Sequence, residues 1–398
     1  MDEDLPEQHR AWFTPGVRGI GLASLLSDLG HEVPTSLLPR FVTSALGGSA
    51  AALGVIEGIA DGLAGIARLA GGALADDPDR RRATAVGGYA GTAVLSGLIG
   101  VATTVWQVGI LRAGAWTARG IRVPSRNALL ADATPPEAYG RAYGFERMMD
   151  NLGAIGGPLL ALALIAAFSV RTAILLSVIP GLLAALAIIY AIRHLPKLAT
   201  RERQPIRLQV RPVMNGRLGK LMVGAAAFEL GNVATTFLIL RTTVLLNPTH
   251  GTDRATEIAL LLYAAYNAAA TLVSLPAGHV NDRVGSVRAW QIGATAFLCS
   301  YLLFAFGGAS VTVLSVAFVL AGIGIGFAET AQSAAVASSA PADLRGSAFG
   351  LLAGVQAFGN LAASVVAGFL WTFVSPTAAF LYLGAWMLVA LATLLRAR

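Results

Sequence analysis

The chain has 398 residues, of which 13% are charged and 55% hydrophobic, and it carries a formal net charge of +7. Soluble domains contain roughly 25% charged residues, because a surface that faces water needs them. The composition therefore excludes a cytosolic enzyme, a disordered chain and, with one cysteine, a disulfide scaffold. It predicts a protein that crosses a membrane many times.

Long uncharged runs predict the membrane spans. A helix needs about 20 apolar residues to cross the hydrocarbon, and the stretches 83–111, 151–170 and 258–278 contain no acidic residue, lysine or arginine. Backbone polar groups in lipid need internal partners, so every span should be helical. We predict an all-α integral membrane protein with twelve transmembrane helices, near 16–39, 49–72, 83–104, 106–129, 141–167, 170–193, 217–241, 256–279, 287–307, 309–334, 344–373 and 376–396.

The distribution of basic residues predicts the orientation of the chain. Lysine and arginine concentrate in the even-numbered loops and in both tails, including 80–82 and the run 193–220. By the positive-inside rule, this pattern places both termini of a multi-pass protein in the cytoplasm, across a bacterial inner (cytoplasmic) membrane. The positive net charge is then a topology signal, and no nucleic-acid partner is expected.

The two halves of the chain repeat each other. An offset of 206 residues relates Asp76 to Asp282, and an offset of 201 residues relates Asp28 to Glu229. The first offset also relates Pro135 to Pro341, Gly140 to Gly346 and Gly144 to Gly350. We predict a cytoplasmic tail at 1–15, a six-helix bundle at 16–193, a basic cytoplasmic linker at 194–216 and a second six-helix bundle at 217–398, an architecture that many secondary transporters use.

The loops after helices 2 and 8 resemble those of the major facilitator superfamily. The family pattern Gly-x-x-x-Asp-Arg-x-Gly-Arg is matched in the second half by Gly278, Asp282, Arg283 and Gly285. The first half keeps Gly72, Asp76 and Arg80 but has Asp77 and Asp79 where the family has a basic residue and a glycine. The resemblance covers nearly the whole chain, and it implies two pseudo-symmetric six-helix bundles whose helices 1, 4, 7 and 10 line a central cavity.

Two further family patterns are incomplete. Arg112 and Pro124 fit the helix 4 pattern, where Trp116 occupies a usual glycine position. The antiporter pattern of helix 5, Gly-x-x-x-Gly-Pro-x-x-Gly-Gly, is matched by Gly153, Gly157 and Pro158. Its last two glycines are replaced by Ala161 and Leu162. The stretches 27–32 and 120–132 resemble a poorly characterised bacterial branch of the superfamily, similar to proton-coupled exporters of drugs and small molecules.

Ionisable residues inside the spans are the candidates for proton coupling, because charges are costly there and are usually functional. Helix 1 carries Asp28, His31 and Glu32 on one face. We predict that the two carboxylates exchange protons with His31 as partner or relay; alternatively, His31 fixes helix 1 to a neighbouring helix. Glu229, the repeat mate of Asp28, and Glu329 of helix 10 complete this set.

Polar residues on the helices implied to line the cavity are the candidates for substrate binding, namely Arg119, Arg122, Asn232, Thr236 and Gln332. Arg119 and Arg122 either neutralise carboxylates or bind an anionic substrate. Arg126 is predicted to be an interfacial anchor, and Glu146, Arg147 and Asp150 to be charges at the start of helix 5.

A third set of charged residues is predicted to form gates, namely Arg40, Glu57, Asp61, Asp76, Arg112, Arg241, Asp282 and Arg283. Asp76 and Asp282 could hydrogen-bond a helix N-terminus in the other half. Glu57 and Asp61 could instead form a fixed interhelical salt bridge. Arg112 could take part in proton coupling or brace the Asp76 loop, and Glu229 could pair with Arg241 or Arg40.

The sequence predicts a transporter rather than an enzyme. It contains no phosphate-binding loop and no zinc-type cluster, so we expect no cofactor and a proton gradient as the energy source. The expected activity is proton-coupled export (antiport) of a small organic molecule by a monomer in contact with membrane lipids. Uptake, export of an anionic solute, lipid transport and a non-transporting receptor or scaffold are the alternatives.

Overall fold

The computed structural model describes residues 12–195 and 206–396, and within these ranges the chain forms helices and short connections without a strand. Nine segments of this described chain are long and apolar enough to cross a membrane. Contacts divide the helices into two units, which are described in turn.

The first unit contains the described residues up to Val210 together with Ala340–Gly354. Several of its helices are preceded by side-chain caps. Thr14 accepts a hydrogen bond from the amide of Val17, and Asp77 accepts from the amides of Asp79 and Arg80. Asp77, which departs from the family loop pattern, therefore begins the third helix. The helices are α1 (Pro15–Arg40), α2 (Ala50–Ala75), α3 (Pro78–Leu98), α4 (Val105–Asp132), α5 (Tyr139–Ala167), α6 (Val170–Leu176) and α7 (Val178–Arg193).

The second unit contains Arg211–Ser339 and the described residues from Val355 onward. The short helix α8 (Val210–Val213) leads into it, and α14 begins in the first unit and continues into the second. Its helices are α9 (Gly216–Gly231), α10 (Thr236–His250), α11 (Thr252–Val284), α12 (Ser286–Phe306), α13 (Val311–Ser339), α14 (Arg345–Phe373) and α15 (Pro376–Leu395).

The seventh predicted span, 217–241, is not one helix. The chain leaves the helix after Gly231 and resumes at Thr236. Backbone groups at the break find side-chain partners: the Tyr301 hydroxyl donates to the carbonyl of Gly231 (2.8 Å) and Asn360 donates to that of Asn232 (2.6 Å). The amide of Ala234 donates to the Ser364 hydroxyl at 3.0 Å. Such a break is tolerated at membrane depth only when its backbone is satisfied within the protein.

Two buried polar clusters as candidate functional sites

His31 of α1 lies between two carboxylates. Its Nδ1 is 3.4 Å from Oδ1 of Asp28, and its Nε2 is 3.3 Å from Oε1 of Glu32. Nδ1 also lies 3.0 Å from the carbonyl oxygen of Ser27, one helical turn earlier. Asp28 and His31 are each 3% exposed, whereas a quarter of the Glu32 side chain is exposed. The spacing read from the sequence thus brings these three side chains into one chain of contacts that reaches an accessible carboxylate.

Two arginines of α4 approach the same carboxylate. Arg119 Nη2 lies 3.3 Å from Asp28 Oδ2, and Arg122 Nη2 lies 4.0 Å from Asp28 Oδ1. Arg122 also donates to the Ser27 hydroxyl at 2.6 Å, and its guanidinium lies 4.0 Å from the centre of the Tyr89 ring. Arg122 is buried, while the Arg119 side chain remains 28% exposed.

A second group of charges joins α2 to α4. Arg112 donates to Glu57 (3.0 Å) and to the Thr35 hydroxyl (3.0 Å), and its guanidinium lies 3.4 Å from the centre of the Trp116 ring. The indole N–H of Trp116 donates to Asp61 at 2.9 Å. The two acids of α2 are therefore bound by different residues of α4: Glu57 by Arg112, and Asp61 by Trp116, which stands where the family pattern has glycine.

Arg112 does not brace the Asp76 loop. It pairs with Glu57, and at 1.5 Å per residue Glu57 lies about 28 Å along α2 from the end that bears Asp76. The residue close to that end is Arg81, whose Nε donates to the carbonyl of Ala75 at 2.7 Å.

Arg126 is not an interfacial anchor, and Glu146 and Asp150 are not at the start of helix 5, so both predictions are wrong. Arg126 is 4% exposed, and its Nη1 lies 2.7 Å from Glu146 and 3.2 Å from Asp150. It also donates to the Ser24 hydroxyl, which in turn donates to Glu146. Because α5 begins at Tyr139, both acids lie well inside the helix. Glu146 and Asp150 are four residues apart, as are Arg122 and Arg126, so each pair shares one face of its helix. This spacing was the signal in the sequence that the two faces could meet.

Asp76 contacts the first turn of α14. Its carboxylate accepts hydrogen bonds from the amide of Ser347, at 2.8 Å, and from the Ser347 hydroxyl. Burial raises the pKa of the Asp76 carboxyl above its usual range, against the opposing effect of these two hydrogen bonds. Nearby, Asp132 pairs with Arg81 and, at 3.1 Å, with Arg345.

The second unit contains a cluster of a different kind, built on Glu229 in the last turn of α9. Glu229 is 3% exposed and accepts hydrogen bonds from the side-chain amides of Asn232 (2.9 Å) and Gln332 (3.1 Å). The oxygen of the Gln332 amide accepts from Gln356 at 2.6 Å. Two of the predicted substrate-binding residues, Asn232 and Gln332, therefore contact the predicted proton-coupling residue.

The repeat offset of 206 residues relates the two clusters. It matches Arg126 to Gln332 and Asp150 to Gln356, so an arginine–aspartate pair in the first unit corresponds to a pair of amides in the second. The same offset relates Gly153 to Gly359. A Cβ at Gly153 would meet the Cβ of Asp28 at 2.9 Å, and one at Gly359 would meet the Cβ of Glu229 at 2.5 Å.

The remaining predicted site residues are Arg40, Thr236, Arg241, Asp282, Arg283 and Glu329. Arg241 donates to the carbonyls of Phe304 (3.0 Å) and Ala305 (3.4 Å), Glu329 is partly buried one turn before Gln332, and Asp282 is partly buried near the end of α11. Exposed positions are occupied by Arg40, Thr236 and Arg283. Within 12–195 and 206–396 there is no group of three or more His, Cys, Asp or Glu side chains that could hold a metal ion.

Long apolar helices that enclose buried ionic and amide clusters define a multi-span helical membrane protein. The family model of the Major Facilitator Superfamily matches residues 20–247 and 231–398. The chain belongs to this superfamily, and it is therefore a secondary transporter rather than an enzyme.

Three known proteins illustrate the similarity. An uncharacterised MFS-type transporter of Methanocaldococcus jannaschii is 28% identical over 365 residues, which cover 91% of this chain and 90% of that protein. A homologue of the multi-drug resistance efflux pump PmrA from Lactococcus lactis subsp. cremoris is 40% identical over 68 residues, 17% of this chain and 57% of that sequence. The solved proton:xylose symporter XylE has the same fold, with a TM-score of 0.72 at 14% identity over 98% of this chain and 96% of its own.

Proposed function

We propose that the protein exports a small organic molecule across a bacterial inner membrane in exchange for protons, by alternating access, with both termini in the cytoplasm. It acts as a monomer, needs no cofactor and takes its energy from the proton gradient. The observation that carries this proposal is the contact of His31 with both Asp28 and Glu32. The short match to a multidrug efflux pump homologue supports export.

The geometry of the His31 cluster suits reversible proton binding. A neutral imidazole has one N–H and one acceptor nitrogen, so His31 can take a proton on the side of one carboxylate and release it on the other. Glu32 is partly exposed and can exchange protons with water, whereas Asp28 is buried beside Arg119 and Arg122. Protonation changes the charge of this cluster and with it the relative free energies of the two access states. Glu229 and Glu329 provide further proton-binding groups in the second unit.

Reconstituted protein tests the coupling directly. Proteoliposomes that contain pyranine are given an outwardly or inwardly directed pH gradient, and efflux of a panel of fluorescent cationic, neutral and anionic molecules is followed together with internal pH. We expect efflux to accelerate when protons flow in the opposite direction, and His31→Gln to remove this acceleration. Asp28→Asn should do the same.

His279→Gln is a matched control. The Nδ1 of His279 lies 3.0 Å from the carbonyl of Leu275, the same contact with the preceding turn that His31 makes with Ser27, but His279 is exposed. If native protein transports any of the panel at a rate that ignores the pH gradient, proton coupling is refuted.

A second candidate function is transport of an anionic solute. It is favoured by the Arg119 guanidinium, which remains 28% exposed while it contacts Asp28. In the same assay, selective transport of the anionic members of the panel, lost in Arg119→Gln, would establish this alternative.

A further inference from the structure

Trp116 of α4 has an acid and a base close to its ring. Its indole N–H donates to Oδ1 of Asp61 on α2 at 2.9 Å, and the guanidinium of Arg119 lies 5.8 Å from the centre of the ring. Trp116 itself is only 8% exposed. The buried ring therefore keeps the two charged side chains near each other on neighbouring helices of the first unit.

Asp61 is an accessible carboxylate. Among the described residues it has no basic partner within ion-pair distance, and its hydrogen bond comes from the indole of Trp116. The residue is exposed. A Cβ added at Gly58 or at Gly62, which flank Asp61 along α2, would meet nothing within 4 Å. There is therefore room for a ligand beside this carboxylate.

The positive charge of Arg119 is only partly compensated. Its Nη2 lies 3.3 Å from Asp28, but Arg122 approaches the same carboxylate to 4.0 Å, so one negative charge faces two guanidinium groups. Within the described chain, Nε and Nη1 of Arg119 have no hydrogen-bond partner and are not buried. The side chain is 28% exposed, so these N–H groups are available to a carboxylate from solution.

We propose that Asp61 and Arg119 together bind a zwitterion, a small organic molecule with an ammonium and a carboxylate group, of which amino acids are the simplest examples. The ammonium donates to Asp61, and Arg119 donates to the carboxylate. In the described structure these two side chains do not pair with each other. A charge-assisted hydrogen bond spans about 2.7–2.9 Å, so a ligand with one such bond at each end connects an acid and a base that are too far apart to pair directly.

The same two side chains disfavour ligands with a single charge. An anion at Arg119 gains one contact and is repelled by Asp61, and a cation at Asp61 gains one contact and is repelled by Arg119. Only a zwitterion gains both contacts and compensates both charges. Because specificity is a difference between the affinities for competing ligands, this pair selects for molecules that carry both groups.

The ring of Trp116 also connects this site to the proton-binding cluster. His31 meets the ring edge-on, with the ring centroids 5.5 Å apart, and Asp28 contacts both His31 and Arg119. A carboxylate bound at Arg119 is thus a second anion on the guanidinium that Asp28 already contacts. As a statement about the transported molecule, the inference names its chemical class and rests on the proposed function; as a statement about binding, it does not.

Binding is measured without transport, on purified protein in a non-ionic detergent at pH 7 and constant ionic strength. The twenty proteinogenic amino acids are screened for a rise in the midpoint of thermal unfolding, which a ligand of the folded state causes by mass action. The amino acid with the largest rise is then compared with the amine that lacks its carboxylate and with the acid that lacks its ammonium. For leucine these are isoamylamine and isocaproate.

At a concentration about 100 times its dissociation constant, the amino acid should raise the midpoint by roughly 2–4 °C. Removal of either charged group should weaken binding roughly tenfold or more, because one charged hydrogen bond is lost.

Two variants locate the site. Asp61→Asn keeps an acceptor for the indole N–H but removes the charge, so it should lose the preference for the amino acid over the acid that lacks the ammonium. Arg119→Gln should lose the preference over the amine that lacks the carboxylate. Asp253→Asn and Arg193→Gln, which remove one charge each at exposed positions of α11 and α7, are the matched controls and should bind as native protein does.

The inference is overturned if no amino acid raises the midpoint, if the amine or the acid alone binds as tightly as the amino acid, or if Asp61→Asn keeps the native preference. Its failure is distinct from that of the proposed function. Protein that binds an amino acid but whose flux ignores a pH gradient would refute proton coupling and leave the site. Coupled flux without amino acid binding would remove the site and leave the coupling.

Discussion

The two units place a carboxylate at matching positions of their first helices and surround it differently. Asp28 contacts His31, Arg119 and Arg122, whereas Glu229 accepts hydrogen bonds from the amides of Asn232 and Gln332. In both units a glycine of the equivalent helix packs against the Cβ of the carboxylate. The backbone arrangement is thus kept while the partners of the carboxylate have changed.

This difference shows what each set of partners can do. Guanidinium groups are permanently charged donors, so Arg119 and Arg122 hold the first cluster in one ionic arrangement. Amides carry no charge and offer both donors and acceptors. The amides of Asn232 and Gln332 therefore bind Glu229 without adding positive charge to the second cluster.

The largest expected effect comes from making the first unit resemble the second. Arg126→Gln leaves Glu146 and Asp150 buried without the guanidinium that lies 2.7 Å and 3.2 Å from them, and breaking such a pair costs about 3–5 kcal/mol. We expect a large drop in the midpoint of thermal unfolding in detergent. The double variant Arg126→Gln/Asp150→Gln, which has the amide pair of the second unit, should recover part of the loss. A double variant less stable than the single one would show that the two positions are not equivalent.

The paired glycines test whether both carboxylates depend on the same close approach. Gly153→Ala brings a Cβ to 2.5 Å from the carbonyl oxygen of Leu25, and Gly359→Ala brings one to 2.5 Å from the Cβ of Glu229. Overpacking of this kind costs about 1–3 kcal/mol, measurable as a lower midpoint of thermal unfolding. Gly58→Ala, where the added Cβ meets nothing within 4 Å, is the control. Equal stability of all three variants would contradict the close packing.

A smaller effect is expected at Trp116, whose position in the repeat is occupied in the second unit by Gly322. Trp116→Phe keeps a ring beside Arg112 but removes the N–H that donates to Asp61 at 2.9 Å. Loss of one such hydrogen bond costs about 1 kcal/mol. Trp116→Leu also removes the aromatic face over which the guanidinium lies, so it should be less stable than Trp116→Phe. The same stability for both variants would show that the ring contributes nothing.

The smallest effect is a change in pH dependence. Because burial raises the pKa of Asp76 in the folded protein, the folded state binds the proton more tightly than the unfolded state does. Stability is then highest below the ordinary carboxyl pKa and falls as pH rises through the raised value. Asp76→Asn keeps an acceptor for the Ser347 amide and removes this dependence.

We therefore expect the stability of Asp76→Asn relative to native protein to improve from pH 3.5 to pH 7, as measured by thermal unfolding. Asp253→Asn, at an exposed position near the start of α11, controls for the loss of one negative charge. Parallel pH profiles for Asp76→Asn and native protein would exclude the effect.

The long uncharged runs, the internal repeat and the loop motifs were sufficient for the fold class, which the family model confirms. The i, i+3 and i, i+4 spacing of Asp28, His31 and Glu32 also predicted their contact, since spacing within one helix fixes which residues share a face. The partners of Arg126 were missed because contacts between helices depend on rotation and depth, which one sequence does not specify. The break at 232–235 was missed for a related reason: it is stabilised by Tyr301, Asn360 and Ser364, which are distant in sequence.

The composition of α4 has a consequence for how the protein is made. This helix carries Arg112, Arg119, Arg122 and Arg126 along its length, and each arginine near the centre of a lipid-exposed helix opposes insertion by the translocon by about 2.5–3.5 kcal/mol. On its own, α4 would not partition from the translocon into lipid. We therefore expect α4 to stay at the translocon until α1, α2 and α5 supply its carboxylate partners. The helices of the first half of the chain would then enter the membrane as an assembled group rather than one by one.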